Sequence, residues 1–502
     1  MPQMFKSLDR YVRSIDYILL VIALICSGFG LVLINSATAT LQDGSTRYMT
    51  VQTLAIALGL VGFVVASCIP YEKLTPMWRA VLLFNVLFQL SLLVLGYEDG
   101  GNRSWIRFGG IGVQPTEIGK LLFIFTFAKQ INLYRYELNR IRSLLLLGGQ
   151  LALVVLAIIF PSHDVGVALS YVIIAVIMLF AAGLSLRWFA GGLVLCCAAI
   201  PILWQVLSDP QKNRILVLFD PSVSPNTYWQ QEQSRIAIGA GKLFGQGYMQ
   251  GSQTQYNMLP EKQTDFIFAV AGEEWGLVGC LLILILLNLL IFRLFYVAYQ
   301  AKGQFLSLMC AGIGAMFLYQ TYENVFMCLG IGPVMGLTLP FFSYGGSSMV
   351  TMFLAVGMAA GISMRSRWQK EQRLAGSEVE EEPEYSVPDW NPGQVVASLL
   401  GRKPSKVSSQ PAESEQSPQM EDIPEIPPES EHSAIPVLDW SVLDGFSDYV
   451  REKVLQQNGA ESQESESAED AKQEEDIFQW RRVYLDLDEH ADSEQKKPPK
   501  QD

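Results

Sequence analysis

Residues 266 to 295 read FIFAVAGEEWGLVGCLLILILLNLLIFRLF, and the stretch from Trp275 to Phe292 holds no charged side chain. An α-helix rises ~1.5 Å per residue, so roughly 20 such residues cross the ~30 Å hydrocarbon layer of a bilayer. The run is continuous rather than alternating, which speaks for a spanning helix and against a strand of a membrane barrel. The same pattern recurs along the chain, with approximate spans at 17 to 35, 49 to 69, 79 to 97, 115 to 131, 143 to 160, 165 to 183, 188 to 207, 266 to 295, 304 to 331 and 349 to 364. The expected fold is an all-α polytopic membrane protein of about ten transmembrane helices. The first span follows Lys6, Arg10 and Arg13 but is long and lacks a small-residue cleavage pattern, so it reads as a retained anchor.

Half of the 502 residues are hydrophobic and only 17% are charged, with a mean hydropathy of +0.25. That composition excludes a plain soluble domain. The net charge of -13 divides unevenly: residues 1 to 370 carry +7 and residues 371 to 502 carry -20. The acidity therefore belongs to the tail, which is rich in Glu, Ser, Gln and Pro and too poor in apolar residues to offset the entropy of ordering. A disordered tail is expected over 369 to 502. Less polar islands interrupt it, and the one from Ile435 to Val454, with Trp440, Phe446 and Tyr449, fits either an amphipathic helix on a cytoplasmic partner or random apolar residues in a linker.

Lys and Arg set the orientation. With the N-terminus inside, Lys73, Arg79, Arg135, Arg140, Arg142, Arg187, Arg293, Arg365 and Arg367 all fall on the cytoplasmic side, whereas the short outer loops hold only Arg47, Arg103 and Arg107. Residues 1 to 16 are then a cytoplasmic segment and 17 to 368 the membrane domain. The loops at 98 to 114, 161 to 164, 208 to 265 and 332 to 348 face out, and both termini lie in the cytoplasm. All seven cysteines fall in or at the ends of apolar spans, so neither a disulfide framework nor a zinc site is indicated. No phosphate-cradling loop or dinucleotide fingerprint is present, and the acidic tail argues against nucleic acid.

Ionisable groups within or beside spans cost at least ~2.5 kcal/mol near the midplane, so they are default functional candidates. Four clusters stand on the outer side. The first runs from Gly101 through Arg103, Trp105 and Arg107 into Gln114-Pro115-Thr116-Glu117, with Lys120 three residues on. Glu117 and Lys120 share a helix face, as a structural ion pair or a functional one, and Trp105 could equally be an interfacial anchor. The second is His163-Asp164, where a helix-start cap is the simplest role for Asp164. The third closes the long loop: Leu259-Pro260-Glu261-Lys262-Gln263-Thr264-Asp265, with Asp265 placed where the chain re-enters the membrane and its basicity can be tuned. Helix capping is the plain alternative there. Arg214, Lys242 and Lys262 in that loop offer cations for phosphate. The fourth is Leu339-Pro340-Phe341-Phe342-Ser343-Tyr344-Gly345-Gly346-Ser347-Ser348, irregular backbone tolerated at membrane depth only inside protein or beside a polar cavity, which makes Ser343 and Ser347 wall candidates.

These motifs, in this order and spacing, resemble the shape, elongation, division and sporulation (SEDS) family of bacterial proteins over roughly residues 10 to 368. The run from Gly245 to Gln253 and the Phe341-Phe342 pair are similar to the RodA type more than the FtsW type, while Leu337-Thr338-Leu339 looks more like FtsW. Where the family usually has Gln-Pro-Asp-Leu-Gly-Thr, this chain has Ser162-His163-Asp164-Val165-Gly166-Val167. The resemblance implies a peptidoglycan glycosyltransferase that polymerises lipid II at the outer face beside a class B penicillin-binding protein. Asp265 matches the family's essential outer-loop aspartate; Trp105, Glu117 and Lys120 match other functionally important positions.

The chemistry fits that implication. A pyrophosphate-linked glycosyl donor carries its own leaving group, so cations or a divalent metal, Mg or Mn, must stabilise the departing charge. Asp265 would take the proton from the acceptor 4-hydroxyl in an inverting transfer, with Lys262, Arg214 and Lys242 toward the pyrophosphate. Alternatively Asp265 could hold the metal, whose other ligands the sequence does not name. The lipid tail of the substrate needs an apolar groove open to the outer leaflet. Two other classes fit the same composition: a flippase or transporter of a lipid-linked precursor, and a noncatalytic scaffold acting through its tail.

Overall fold

A computed structural model describes residues 14 to 41, 44 to 99, 102 to 108 and 111 to 374. The last helix runs on to Leu374, so the first residues of the tail expected to be disordered from 369 are helical, while the tail beyond 374, with its island at 435 to 454, lies outside the described residues.

A helix stands at each of the ten expected spans: α1 (Tyr17–Thr38), α2 (Gly44–Cys68), α3 (Trp78–Leu90), α4 (Pro115–Leu133), α5 (Ile141–Ser162), α6 (Val165–Ala181), α7 (Leu186–Val206), α10 (Ile267–Gln300), α11 (Gln304–Cys328) and α12 (Gly346–Leu374). Three more α-helices lie in the long loop: α8 (Asp209–Leu216), α9 (Pro225–Ala240) and a single turn at Ser252–Gln255. Among the described residues seven helical stretches are long and apolar enough to cross a membrane by length and composition alone; Val165–Ala181 and Leu186–Pro201 are shorter apolar helices. Helix α4 has the length, but Glu117, Lys120 and Lys129 interrupt its apolar character. The molecule is a mostly helical, multi-pass membrane protein.

Exposure assigns the helices to places. Apolar side chains of α2, α3, α5 and α7 face outward, as lipid-contacting surfaces do, with Val61 62% and Leu145 68% exposed. Helices α11 and α12 are about four-fifths buried and form the centre. There α12 packs along α2, and α11 against α4, α6 and α10. At one end Asp16, 1% exposed, draws Arg293 of α10 (2.6 Å), Arg367 of α12 (3.4 Å) and Ser363 (2.9 Å) onto the start of α1. Three helix ends are fixed by one carboxylate.

The segment read as a plain loop at 98 to 114 contains a three-stranded antiparallel sheet, β1 (Gly96–Asp99), β2 (Asn102–Phe108) and β3 (Ile111–Val113). Within β2, Ser104 and Ile106 turn inward while Arg103, Trp105 and Arg107 share the other face. The strand forms because that alternation lets one face bury against the bundle while its polar face stays wet.

Candidate active site at the membrane-entry aspartate

Asp265 closes a turn ahead of α10. The Glu261 carbonyl accepts hydrogen bonds from the backbone N–H groups of Thr264 (3.1 Å), Asp265 (3.1 Å) and Phe266 (3.3 Å). From the opposite side Asn324 of α11 donates to the Asp265 carbonyl at 2.8 Å and to the Leu337 carbonyl at 2.8 Å, so one amide sets both the aspartate and the irregular segment facing it. Burial pushes the Asp265 carboxyl up to about 7; the negative charge of Glu261 adds to this, Arg214 opposes it, and Asp164 adds again. A carboxylic acid poised near neutrality is what a general base at physiological pH requires.

Asp164 caps α6 by accepting from the Val167 N–H at 3.1 Å, the simplest of the roles its position allowed. Burial raises its carboxyl above the ordinary range, against the Val167 N–H, Arg214 and Lys120, while Glu117 reinforces the rise. Arg214, on α8, lines a small cleft with His163, Gly166, Gln211, Val334 and Met335. Gln211 donates to the His163 carbonyl at 2.6 Å, which fastens α8 to the Asp164 turn. Asp265 and Arg214 of the long loop and Asp164 of the second cluster thus act on one another electrostatically. Through Asp164 the field reaches Glu117 and Lys120, a buried pair at 2.7 Å on α4.

The irregular fourth cluster is zipped to the third. Ser343 donates to the Thr264 carbonyl at 2.6 Å and accepts from the Leu339 N–H at 2.8 Å, and the Tyr344 N–H donates to the Gln263 carbonyl at 2.8 Å. Gln52 of α2 clamps the same backbone, donating to the Ser343 carbonyl and accepting from the Gly345 N–H, each at 3.2 Å. Phe341 adopts φ 66, a left-handed conformation unfavourable for a bulky residue, and is held there between Phe317 and Phe353.

Two of the candidates, Lys262 and Ser343, are turned into the protein rather than toward substrate. Lys262, expected to face a pyrophosphate, is 2% exposed and donates to Thr40 (3.1 Å), Asn257 (2.7 Å) and the Thr254 carbonyl. Its three donors are taken, and burial brings its ammonium down to about 8 against the pull of Glu273 and Glu274. Ser343 spends its hydroxyl inside the protein, positioning Thr264 beside Asp265 rather than meeting substrate. Lys242 is exposed, and its carbonyl is bound to the Leu277 N–H at 2.9 Å, in the first third of α10. Trp105 and Arg103 stay in the sheet, where the Trp105 ring lies over Gly112. Ser347 keeps a buried hydroxyl without a partner among the described residues.

Two residues escaped the sequence reading. Glu323 and Asn324 lie side by side in α11, inside a stretch treated as plain apolar span. Both carboxylate oxygens of Glu323 are buried without a hydrogen-bond partner among the described residues, within electrostatic reach of Asp265 and Asp164. A charged residue in an apolar span was itself the signal. Among the described residues no three His, Cys, Asp or Glu side chains gather into a metal site made by protein alone.

The site is buried and polar, at one end of a multi-helix membrane bundle, and is built around the aspartate that precedes α10. A family model for the FtsW, RodA and SpoVE cell cycle proteins matches residues 16 to 368, and the chain belongs to that family, the SEDS proteins its motifs resemble. Relatives named probable peptidoglycan glycosyltransferase FtsW are 33% identical in Geobacter metallireducens (72% of this chain, 97% of that protein) and 31% in Bacillus subtilis (73% and 94%). The peptidoglycan glycosyltransferase MrdB of Escherichia coli is 34% identical over 61% of this chain and 83% of its own. Among solved structures, a chain of a peptidoglycan synthase complex that coordinates polymerization and crosslinking is 27% identical with a TM-score of 0.61, covering 71% of this chain and 99% of that one. The rod shape determining protein RodA of Thermus thermophilus is 26% identical with a TM-score of 0.53, over 71% and 98%.

Proposed function

We infer that this chain is a peptidoglycan glycosyltransferase that polymerises lipid II into β-1,4 glycan strands at the outer face of the bacterial cytoplasmic membrane. The observation that carries the mechanism is the Asp265 carboxyl, raised to about 7 at the mouth of the bundle and fixed by Asn324. As carboxylate it accepts the proton of the acceptor sugar 4-hydroxyl while that oxygen attacks the anomeric carbon of the donor. The bond to the lipid pyrophosphate breaks with inversion, and no covalent glycosyl intermediate is needed. Arg214, whose charge reaches both Asp265 and Asp164, is the cation placed to stabilise the departing phosphate.

Mg or Mn needs only one or two carboxylates where substrate phosphates supply the rest, and as the alternative to its role as base Asp265 would be the carboxylate that holds it. Such an ion would neutralise the leaving pyrophosphate. The partner is a class B penicillin-binding protein serving as transpeptidase, in keeping with the likeness to a chain of a synthase complex. The concentration of Lys and Arg on one side supports both termini as cytoplasmic; the Asp16, Arg293 and Arg367 clamp then stands at the inner end, and α10 runs from there toward Asp265 at the outer one. The Gly245 to Gln253 run and the Phe341-Phe342 pair favour the RodA type and Leu337-Thr338-Leu339 the FtsW type, and the polymerase would serve cell elongation and shape maintenance, or division.

The test is polymerisation of purified lipid II by the purified protein, with and without a class B transpeptidase and Mg or Mn, comparing wild type with Asp265→Asn. Polymer from wild type and none from a folded Asp265→Asn protein is expected. Full activity in Asp265→Asn would falsify the assignment of the base; no polymer from wild type with the transpeptidase verified as bound would favour lipid transport instead.

A further inference from the structure

Helix α10 is broken inside its apolar run. Gly276 has φ 67 and ψ -160, which removes the two helical bonds that would join Leu277 to Glu273 and Val278 to Glu274. All four orphaned groups are taken by one irregular segment of the long loop. The Leu277 N–H donates to the Lys242 carbonyl (2.9 Å) and the Val278 N–H to the Leu243 carbonyl (3.2 Å). In return the Gln246 N–H donates to the Glu273 carbonyl (2.9 Å) and the Gly247 N–H to the Glu274 carbonyl (3.1 Å). The loop is spliced into the helix, and glycine at both contact points permits it. A Cβ on Gly276 would stand 2.4 Å from the Gly245 nitrogen, and one on Gly245 would stand 2.1 Å from the Glu274 carbonyl oxygen.

The depth of this splice follows from the helix. Arg293, paired with Asp16, marks the opposite membrane edge, and the residues from there to Gly276 span about 25 Å at 1.5 Å each. In a hydrocarbon layer of ~30 Å the break therefore lies inside the far edge by about 5 Å. Segment 242 to 247 lies at that same depth, although the sequence places it in an outer loop. Its apolar tip is uncovered: Leu243 is 59% and Phe244 80% exposed. Beside it begins the outward apolar face of α10, with Leu277, Val278, Leu281 and Leu282 each 45 to 54% exposed.

We propose that segment 242 to 247 is a re-entrant element whose Leu243 and Phe244 side chains rest among the acyl chains of the phospholipid leaflet, continuous with the lipid-facing surface of α10. Lys242, exposed at the head of the segment, extends its ammonium toward the phosphate headgroups, as long basic side chains do near a membrane edge. The element pins the long loop to the membrane and so holds the turn carrying Asp265 at a fixed depth. Bulk phospholipid is the occupant, because the patch continues a face that any surrounding lipid must cover.

Depth-resolved spin labelling tests this. Exposed Cys68, Cys196 and Cys197 are changed to serine, and a nitroxide is attached at Phe244→Cys in full-length protein held in phosphatidylethanolamine and phosphatidylglycerol nanodiscs free of polyprenyl lipid. Labels at Leu281→Cys and Asn226→Cys serve as hydrocarbon and aqueous references. The ratio of relaxation by oxygen to relaxation by a polar nickel chelate at position 244 is expected to match position 281 and exceed position 226 several-fold. A ratio like that of position 226 overturns the proposal, and so does protection from both reagents, which means protein covers the patch. Leu243→Cys gives the same reading should Phe244→Cys misfold. Polymerising activity is not the readout, so failure here leaves the glycosyltransferase reading untouched.

Discussion

The carboxyl of Asp265 sits at a seam of three segments, and each contributes something different to its basicity. Its own turn brings Glu261, α6 brings Asp164, and α8 brings Arg214 as the opposing charge. Removing a negative neighbour eases ionisation, so Glu261→Gln is expected to move the midpoint of the kcat/KM pH profile down, and Arg214→Gln to move it up. Glu323→Val is expected to raise the melting temperature, because a buried carboxylate whose oxygens lack partners costs of the order of 1 to 3 kcal/mol or more. A fall in melting temperature would mean that Glu323 is satisfied in the native membrane. Asp265 was legible because its motif prints it. Glu323 and Asn324 were not, because the apolar average of their span hid two polar residues. The direction of Lys262 was equally hidden, since the partners that turn it inward, Thr40, Thr254 and Asn257, come together only in the fold.

At the scale of elements the Glu117 and Lys120 pair decides between structure and chemistry. The pair is buried within one helix turn of α4, so neutralising one member alone leaves a buried charge and is expected to cost about 3 to 5 kcal/mol. Replacing both, as Glu117→Leu with Lys120→Met, is expected to restore folding. Thermal melting in detergent checks the first statement, and polymerisation by the refolded pair checks the second. An active double variant would make the pair purely structural; an inactive one would tie its charge to the site through Asp164. The positions of the ten helices could be read from continuous apolar runs, because lipid demands them. The small sheet could not, since β2 alternates over only seven residues and its pairing with β1 and β3 is tertiary. Yet the register of Phe108 with Ile111 leaves a two-residue Gly-Gly connection, a hairpin signal that the sequence does carry.

For the whole molecule the division of charge matters most. The membrane part carries +7 and matches its family from residue 16 to 368, while the -20 segment from 371 onward lies outside that match and, beyond Leu374, outside the described residues. Truncation after Leu374 is therefore expected to leave lipid II polymerisation within about twofold of the full chain, as surface-distant changes usually do. A scaffold acting through its tail would instead lose its function when residues 435 to 454 are removed, which growth of a strain depending on the truncated protein would reveal. The central claim is that a single carboxyl, Asp265, is the base. It is tested most directly by kcat/KM for polymerisation measured from about pH 5 to pH 9. The account predicts one ionisation with a midpoint near 7, the rate constant falling about tenfold per unit below it and level above. A profile flat across that range, or one whose midpoint stays unmoved in Glu261→Gln and Arg214→Gln alike, would contradict it.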